Sequence, residues 1–115
     1  MKNQYKRIKS DLYFHKQPEN LNCAQAILKG FQQEFNISDL EIEESRALGG
    51  GRAQEGICGA LFSAERLLNQ AGKKGITEEF NRIVGKTKCL DIKDLKFPCI
   101  DCVRIADDLV ENKIK

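Results

Sequence analysis

The sequence predicts an all-α fold, a compact bundle of five or six short helices without a sheet. Three observations predict it: valine is scarce, no segment alternates apolar and polar residues with a period of two, and apolar residues recur at helical spacing from end to end. A chain of 115 residues without internal repeats or low-complexity tracts is expected to form one domain, residues 1–115, around one core.

The first two helices are predicted from apolar periodicity and from one cap. The stripe of the first helix, which ends near Gln17-Pro18, consists of Tyr5, Ile8 and Leu12. Asn22 and Gln25 have the spacing of a capping box, which makes Cys23 the first residue of the second helix. The buried face of that helix consists of Ala24, Ile27, Leu28, Phe31 and Phe35.

Glycines separate the next two predicted helices. A second capping box, from Ser38 to Glu41, begins a short helix, and Gly49-Gly50-Gly51 ends it because glycine resists helix formation. A fourth helix begins at about Gly56 and places Cys58 in its first turn. Its buried residues are Ile57, Ala60, Leu61, Ala64, Leu67 and Leu68.

The last third of the chain predicts two further helices joined by a loop. Thr77 is expected to cap the fifth helix, which ends near Cys89. Residues 93–98 are expected to form the loop, and Pro98 suits the start of the last helix. The buried residues of the fifth helix are Phe80, Ile83, Val84 and Thr87. The stripe of the last helix is Cys99, Cys102, Val103, Ala106, Leu109 and Val110.

Composition and charge exclude several classes of function. The formal net charge of +2 comes from 19 basic and 17 acidic residues without a basic stripe, so nucleic acid is not expected as a partner. Residues 1–6 are not followed by the apolar run of a signal peptide, and no segment is long and apolar enough to span a membrane. We therefore expect a cytoplasmic protein, in which an odd number of cysteines, five, does not form a disulfide framework.

The positions of the cysteines are the strongest indication of function. Cys23, Cys58 and the pair Cys99-x-x-Cys102 are all predicted in first helical turns. A helix N-terminus has unpaired N–H groups and a positive dipole end, which favour a thiolate over a thiol. Because thiolates attack disulfides and bind soft metals, we expect a redox-active or metal-handling protein.

Two redox mechanisms and one binding function fit these thiols. In a dithiol mechanism, Cys99 or Cys102 attacks and the other resolves the mixed disulfide, with Cys23 and Cys58 as a second couple. An iron–sulfur cluster takes four thiolates, and five cysteines are present. A zinc-binding module also needs four ligands, and a single Cys-x-x-Cys pair makes zinc the weaker choice. A helical interaction domain with inert, buried cysteines is the remaining alternative.

Haem is not expected. A c-type haem motif needs a histidine directly after its second cysteine, and Val103 follows Cys102. The only histidine, His15, is more often a surface or core residue than a ligand in such a position.

Three glycines are candidates for contact with a cofactor. Gly50 and Gly51 would let a cofactor or an anion approach the backbone closely, although a plain connector between helices accounts for them without a ligand. The segment from Gly51 to Gly56 lacks the Gly-Lys-Ser/Thr ending of a phosphate loop. Gly59 is the third candidate, and close packing of two helices explains it equally.

An ordered set of motifs resembles a known family. The motifs are Asn22-Cys23-Ala24-Gln25-Ala26, Gly49-Gly50-Gly51, Gly56-Ile57-Cys58-Gly59-Ala60, Cys89 and Cys99. From about residue 20 to residue 110 the chain is similar to the C_GCAxxG_C_C family of small prokaryotic proteins, to which a redox role is assigned. The resemblance implies an all-helical domain with four signature cysteines, the ligands of any bound metal: Cys23, Cys58, Cys89 and one of the last pair, of which Cys99 matches better than Cys102.

Further expectations follow from the same resemblance. Cys102 becomes an addition peculiar to this chain, and Ser63 stands where the family has a glycine. Distantly similar domains occur in split-Soret cytochromes beside an iron–sulfur centre, which favours a cluster over zinc. A redox protein of this kind implies a redox partner protein, and the sequence leaves open whether the chain also forms a homodimer.

Overall fold

In the computed structural model, residues 7–114 are described, and within them the chain forms seven α-helices, three short 3₁₀-helices and no β-strand. The α-helices are α1 (Cys23–Gly30), α2 (Gln32–Phe35), α3 (Asp39–Glu44), α4 (Gly59–Gln70), α5 (Thr77–Val84), α6 (Cys89–Asp94) and α7 (Cys99–Ile114). The 3₁₀-helices are Ser10–Leu12, Ser45–Leu48 and Gln54–Gly56. The prediction of an all-α bundle is therefore confirmed.

The core lies where α1, α4 and α7 pack against one another, with α5 packed onto α4 and α7. Its fully buried side chains are largely those predicted from helical spacing, because a stripe at i, i+3, i+4 and i+7 fits only one face of a helix. The largest apolar ones are Phe31, Phe80, Ile27, Leu28, Leu61, Leu67, Leu68 and Ile76. Five predicted core residues are only half-buried, namely Phe35, Ile57, Thr87, Cys99 and Leu109.

Two capping boxes are present as predicted. The Asn22 side chain accepts a hydrogen bond from the Gln25 N–H, and the Gln25 side chain accepts one from the Asn22 N–H. Ser38 and Glu41 form the same reciprocal pair at the start of α3. The Gln25 amide also donates to the Ile42 carbonyl at 3.0 Å, so a fully buried polar side chain joins α1 to α3.

The prediction of a first α-helix is wrong for the described residues. Only a 3₁₀ turn, Ser10–Leu12, forms there, and the side chains of Ile8 and Leu12 are 52% and 59% exposed. Tyr5 lies outside the described residues. The backbone follows the surface of α7 instead of coiling, because the Ser10 N–H donates to the buried Asp107 carboxylate at 2.8 Å.

The start of α4 lies later than predicted. Glu55 and Gly56 have φ angles of 58° and 75°, which a right-handed helix does not accommodate. The Cys58 N–H donates to the Thr87 carbonyl at 2.8 Å, so Cys58 is held by a neighbouring segment. Cys58 therefore precedes the first residue of α4, Gly59, rather than lying in the first turn.

The fifth helix differs from its prediction at both ends. Thr77 is its first residue and caps nothing, because its hydroxyl donates to the Glu65 carboxylate at 2.7 Å. The helix ends at Val84, since Gly85 adopts a left-handed φ of 99°. Ile83 was predicted to be buried and is 55% exposed.

A separate helix, α6, follows where the end of the fifth helix and a loop were predicted. Cys89 begins α6, and the half-buried Thr87 lies before it, in the connection from α5. Lys93 and Asp94 belong to α6, so the loop before Pro98 is shorter than predicted. Within residues 7–114 no helix combines the length and apolar character needed to cross a membrane.

Candidate functional site

All five cysteines line one cavity of about 400 Å³. They come from α1, from the residue before α4, from α6 and from α7, so four separate segments contribute to a single wall. The remaining lining residues are Phe14, His15, Asn22, Gly50, Ile92, Lys93, Pro98 and Ile100. The volume lies within the range of small-molecule and cofactor sites, about 300 to 1,000 Å³.

Helix N-termini converge on this cavity. Cys23 and Cys99 are the first residues of α1 and α7, and Cys58 immediately precedes α4. These three helices have 8, 12 and 16 residues, so each presents the positive end of a helix dipole to the cavity. Such an environment favours a guest that carries negative charge.

Two thiols of the inner wall, Cys23 and Cys58, nevertheless have raised pKa values, which favour the protonated form. Interaction with the Cys58 side chain, followed by burial, raises the pKa of Cys23 far above its ordinary value. Interaction with Cys102, together with burial, raises the pKa of Cys58 to about 12, although Cys23 and the backbone of Leu61 act in the opposite direction. The predicted stabilisation of thiolates at these helix starts is therefore wrong for the metal-free chain, because neighbouring thiols and desolvation outweigh the helix ends.

Cys99 differs from the other four cysteines by its position at the mouth. It is half-buried, whereas Cys23, Cys58, Cys89 and Cys102 are buried. Burial is the largest cause that raises the pKa of Cys99, followed by the charges of Cys23 and Cys89, while Lys93 lowers it. Lys93 is the only lysine, arginine or carboxylate among the residues that line the cavity.

The five cysteines line one cavity, but their sulfur atoms are not arranged around a single point. All are free thiols. In the described part of the chain, no three cysteine sulfurs lie within 4.8 Å of one another. A single tetrahedral ion needs four ligand atoms around one centre, whereas the four thiolates of a cluster are divided among two or more irons and span a larger site.

The one compact group of potential metal ligands among residues 7–114 lies outside the cavity. It consists of Asp107, Asp108 and Glu111. Asp107 accepts hydrogen bonds from Arg7 at 2.7 and 2.8 Å, and Lys9 lies 3.0 Å from Glu111. These three carboxylates are therefore paired with two cations of the chain itself, Arg7 and Lys9.

The three candidate glycines all lie at the cavity or behind its wall. Gly50 lines it, and a methyl group added to Gly51 would lie 3.6 Å from the Cβ atom of Cys89. A methyl group on Gly59 would lie 2.7 Å from the Cys23 Sγ atom, so this glycine lets α1 and α4 approach at the cysteines.

Sequence reasoning did not find every residue of the wall. His15 lines the cavity with an exposed ring stacked on Phe14 at 3.9 Å, although it was expected to be an ordinary surface or core residue. Ile92 and Lys93 follow Cys89 by three and four residues and so share its face of α6. This spacing is visible in the sequence, but it indicates a shared face only if Cys89 begins a helix, and Cys89 was predicted near the end of one.

Taken together, the cavity is a pocket of five free thiols at converging helix starts, closed on the inside and open at Cys99. Its potential ligand atoms are soft sulfur donors. Among the described residues, the spacing of these sulfur atoms exceeds that of a single-ion site. Comparison of the chain with family models, curated proteins and solved structures found no match.

Proposed function

We propose that this protein transfers electrons through an iron–sulfur cluster held by the cysteines of the cavity. The observation that carries the proposal is the convergence of five free thiols from four separate segments on one cavity of about 400 Å³. When bound, such a cluster takes up and releases single electrons. The resemblance to the C_GCAxxG_C_C family supports the same function.

The donor set fits a cluster. Four thiolates are needed, and the family resemblance assigns them to Cys23, Cys58, Cys89 and Cys99. Three of these are buried, which shields a bound group from water, and Cys99 at the mouth gives electrons a short route to the surface. The converging ends of α1, α4 and α7 offset the negative charge that four thiolates bring into the cavity.

The raised pKa values also favour metal binding over nucleophilic attack. Because the pKa of Cys58 is about 12, its thiol is almost entirely protonated at neutral pH and attacks a disulfide slowly. The same thiol gives up its proton when it binds a cation, since the charge of the metal replaces that of the proton. Thiols with raised pKa values, such as Cys23 and Cys58, are thus poorly suited to attack but can still ligate a metal that displaces the proton.

The first test is the metal and sulfide content of protein purified without oxygen. We expect iron and acid-labile sulfide in stoichiometric amounts, with an absorption spectrum that bleaches on reduction by dithionite. Cys23→Ser, Cys58→Ser, Cys89→Ser and Cys99→Ser are expected to lose the iron, and Cys102→Ser serves as the matched control that retains it. Zinc without sulfide, or protein free of metal after cluster reconstitution, would contradict the proposal.

A second candidate function is thiol–disulfide exchange, favoured by the half-buried position of Cys99 beside Lys93. In that reaction two thiols of the cavity become one disulfide, and a substrate disulfide takes up the two electrons and two protons to become two thiols. Metal-free protein that reduces a glutathione disulfide, and loses this activity in Cys99→Ser, would establish exchange in place of the cluster.

We propose that this function is carried out in the cytoplasm. An odd number of cysteines, five, does not suit a disulfide framework, and a reducing compartment keeps thiols free. A redox partner protein is then required to deliver or accept the electron.

A further inference from the structure

We propose that the surface around Cys99 binds an acidic electron-carrier protein. This docking surface consists of the apolar side chains Leu90, Leu95 and Ile100 together with the lysines at positions 93 and 96. The role of the partner rests on the proposed function, whereas its binding is a separate property that is measurable without a bound cluster.

The apolar side chains of the docking surface lie close together in the sequence. Seven large apolar side chains are exposed in the described part of the chain, and three of them, Leu90, Leu95 and Ile100, fall within the eleven positions from α6 to the start of α7. Leu90 is 66% exposed and directly follows Cys89 of the cavity wall. A cluster of exposed apolar side chains beside a site is typical of a protein-binding surface.

The charge of the chain is concentrated in the same segment. Residues 86–96 hold four lysines and two aspartates. The net charge of this segment, +2, equals that of the whole chain. The other fifteen basic residues are balanced by fifteen acidic ones. Within residues 7–114 no ion pair includes any of these four lysines, which are all exposed. Their net positive field is therefore available to a negatively charged partner.

The docking surface also adjoins the one cysteine that lies near solvent. Lys93 and Ile100 line the cavity, and Ile100 directly follows the half-buried Cys99. A carrier seated on these side chains would have its own redox group next to Cys99 rather than behind α1 or α4. Apolar and charged side chains in one binding surface permit binding that is specific and short-lived, as turnover requires.

The test is a calorimetric and NMR titration with a plant-type [2Fe–2S] ferredoxin as an acidic carrier and cytochrome c as a basic one. We expect the ferredoxin to bind, with affinity falling as NaCl rises from about 20 to about 200 mM. The double variant K93E/K96E is expected to bind at least about tenfold more weakly, because two attractive contacts become repulsive. K73E/K74E, between α4 and α5, reverses the same number of exposed charges away from the cavity and is expected to bind like the unmodified protein.

A second pair of variants tests the apolar contribution. Leu90 and Leu40 are each 66% exposed, so Leu90→Ala and Leu40→Ala remove the same side chain from similar environments. Weaker ferredoxin binding in Leu90→Ala alone would support the docking surface. No binding, equal affinity for cytochrome c, or equal weakening by K93E/K96E and K73E/K74E would overturn it. The iron content of the same preparations decides the proposed function independently of these outcomes.

Discussion

At the scale of single residues, Cys58 is the centre of the thiol cavity, since its side chain interacts with both Cys23 and Cys102. These raised pKa values predict the order in which the metal-free protein reacts with a thiol reagent at pH 7. Cys99 reacts first, because it is half-buried, and Cys23 and Cys58 react only as the protein unfolds. Peptide mapping after timed labelling with iodoacetamide measures this order, and labelling of Cys58 before Cys99 would contradict it.

A buried carboxylate provides the second prediction at this scale. Asp107 is fully buried and pairs with Arg7, whose side chain is 8% exposed and lies 3.9 Å from the ring centre of Phe31. Asp107→Asn leaves the Arg7 guanidinium without its main charge partner and is expected to lower the free energy of unfolding by about 3–5 kcal/mol.

Urea denaturation measures this loss. Asp101→Asn is the control, because Asp101 pairs with Arg104 at the surface and its loss is expected to cost less than about 1 kcal/mol. Equal losses in the two variants would show that the Arg7–Asp107 pair contributes no more than a surface pair.

At the scale of helices, the contact between α1 and α4 sets the inner wall of the cavity. Gly59→Ala would place a methyl group 2.7 Å from Cys23 Sγ and 3.2 Å from the Leu48 carbonyl, so the two helices must separate. We expect a loss of about 1–3 kcal/mol in unfolding free energy together with lower iron content after reconstitution.

Gly72→Ala is the control for that variant. No atom lies within 4 Å of the added methyl group, and the cost arises only from the left-handed φ of 69° at Gly72. Gly72→Ala is therefore expected to lose stability without losing iron. Iron loss in proportion to stability in both variants would mean that Gly59 has no specific part in the site.

The helices differ in how far the sequence predicts them, for a physical reason. The starts of α1 and α3 were predicted correctly because a capping box is local and involves residues three apart. The prediction of a helix before residue 22 was wrong because a carboxylate about a hundred residues away, Asp107, holds this segment in place. Helix α6 was missed because its N-terminus is aligned with the segment around Cys58 through the bridge between Ile57 and Lys88.

The cavity itself was only partly predictable. The identity of the cysteines and two of their helix starts, at Cys23 and Cys99, came from the sequence, but no spacing rule brings Cys23, Cys58 and Cys89 together. The proximity of Cys23 and Cys58 depends on the packing of α1 against α4, and the bridge between Ile57 and Lys88 holds the start of α6, with Cys89, beside them, so only the family resemblance anticipated the cavity. The raised pKa values of Cys23 and Cys58 were not predictable either, because desolvation depends on burial that the folded chain creates.

At the scale of the whole molecule, the pKa shifts predict how stability depends on pH. The pKa of Cys58 rises from 9.0 to about 12 on folding, so the unfolded chain loses this proton first and stability falls as pH rises above about 9. Burial raises the pKa of Asp107, but hydrogen bonds from Arg7, Ser10 and Lys9 outweigh it and lower that pKa to about 2. Stability therefore also falls as pH decreases from about 4 to about 2.

The loss of stability at acidic pH offers the sharper measurement. The shift of Asp107 from 3.8 to about 2 corresponds to about 2 kcal/mol, present above pH 4 and lost as the carboxylate is protonated. Urea denaturation of the unmodified protein from pH 5 to pH 2 is expected to show this loss. Asp107→Asn should be less stable throughout and should show a flatter dependence, and parallel curves for the two proteins would contradict the assignment.

The distribution of the cavity wall along the chain has a consequence for biosynthesis. Phe14 and Cys23 come from one end of the sequence, and Cys99 and Cys102 come from the other. While α7 is still being translated, a nascent chain has only part of the wall and lacks the mouth. The cavity is therefore complete only once α7 has packed against α1 and α4, so the full wall for a prosthetic group forms late, after most of the described chain has been synthesised.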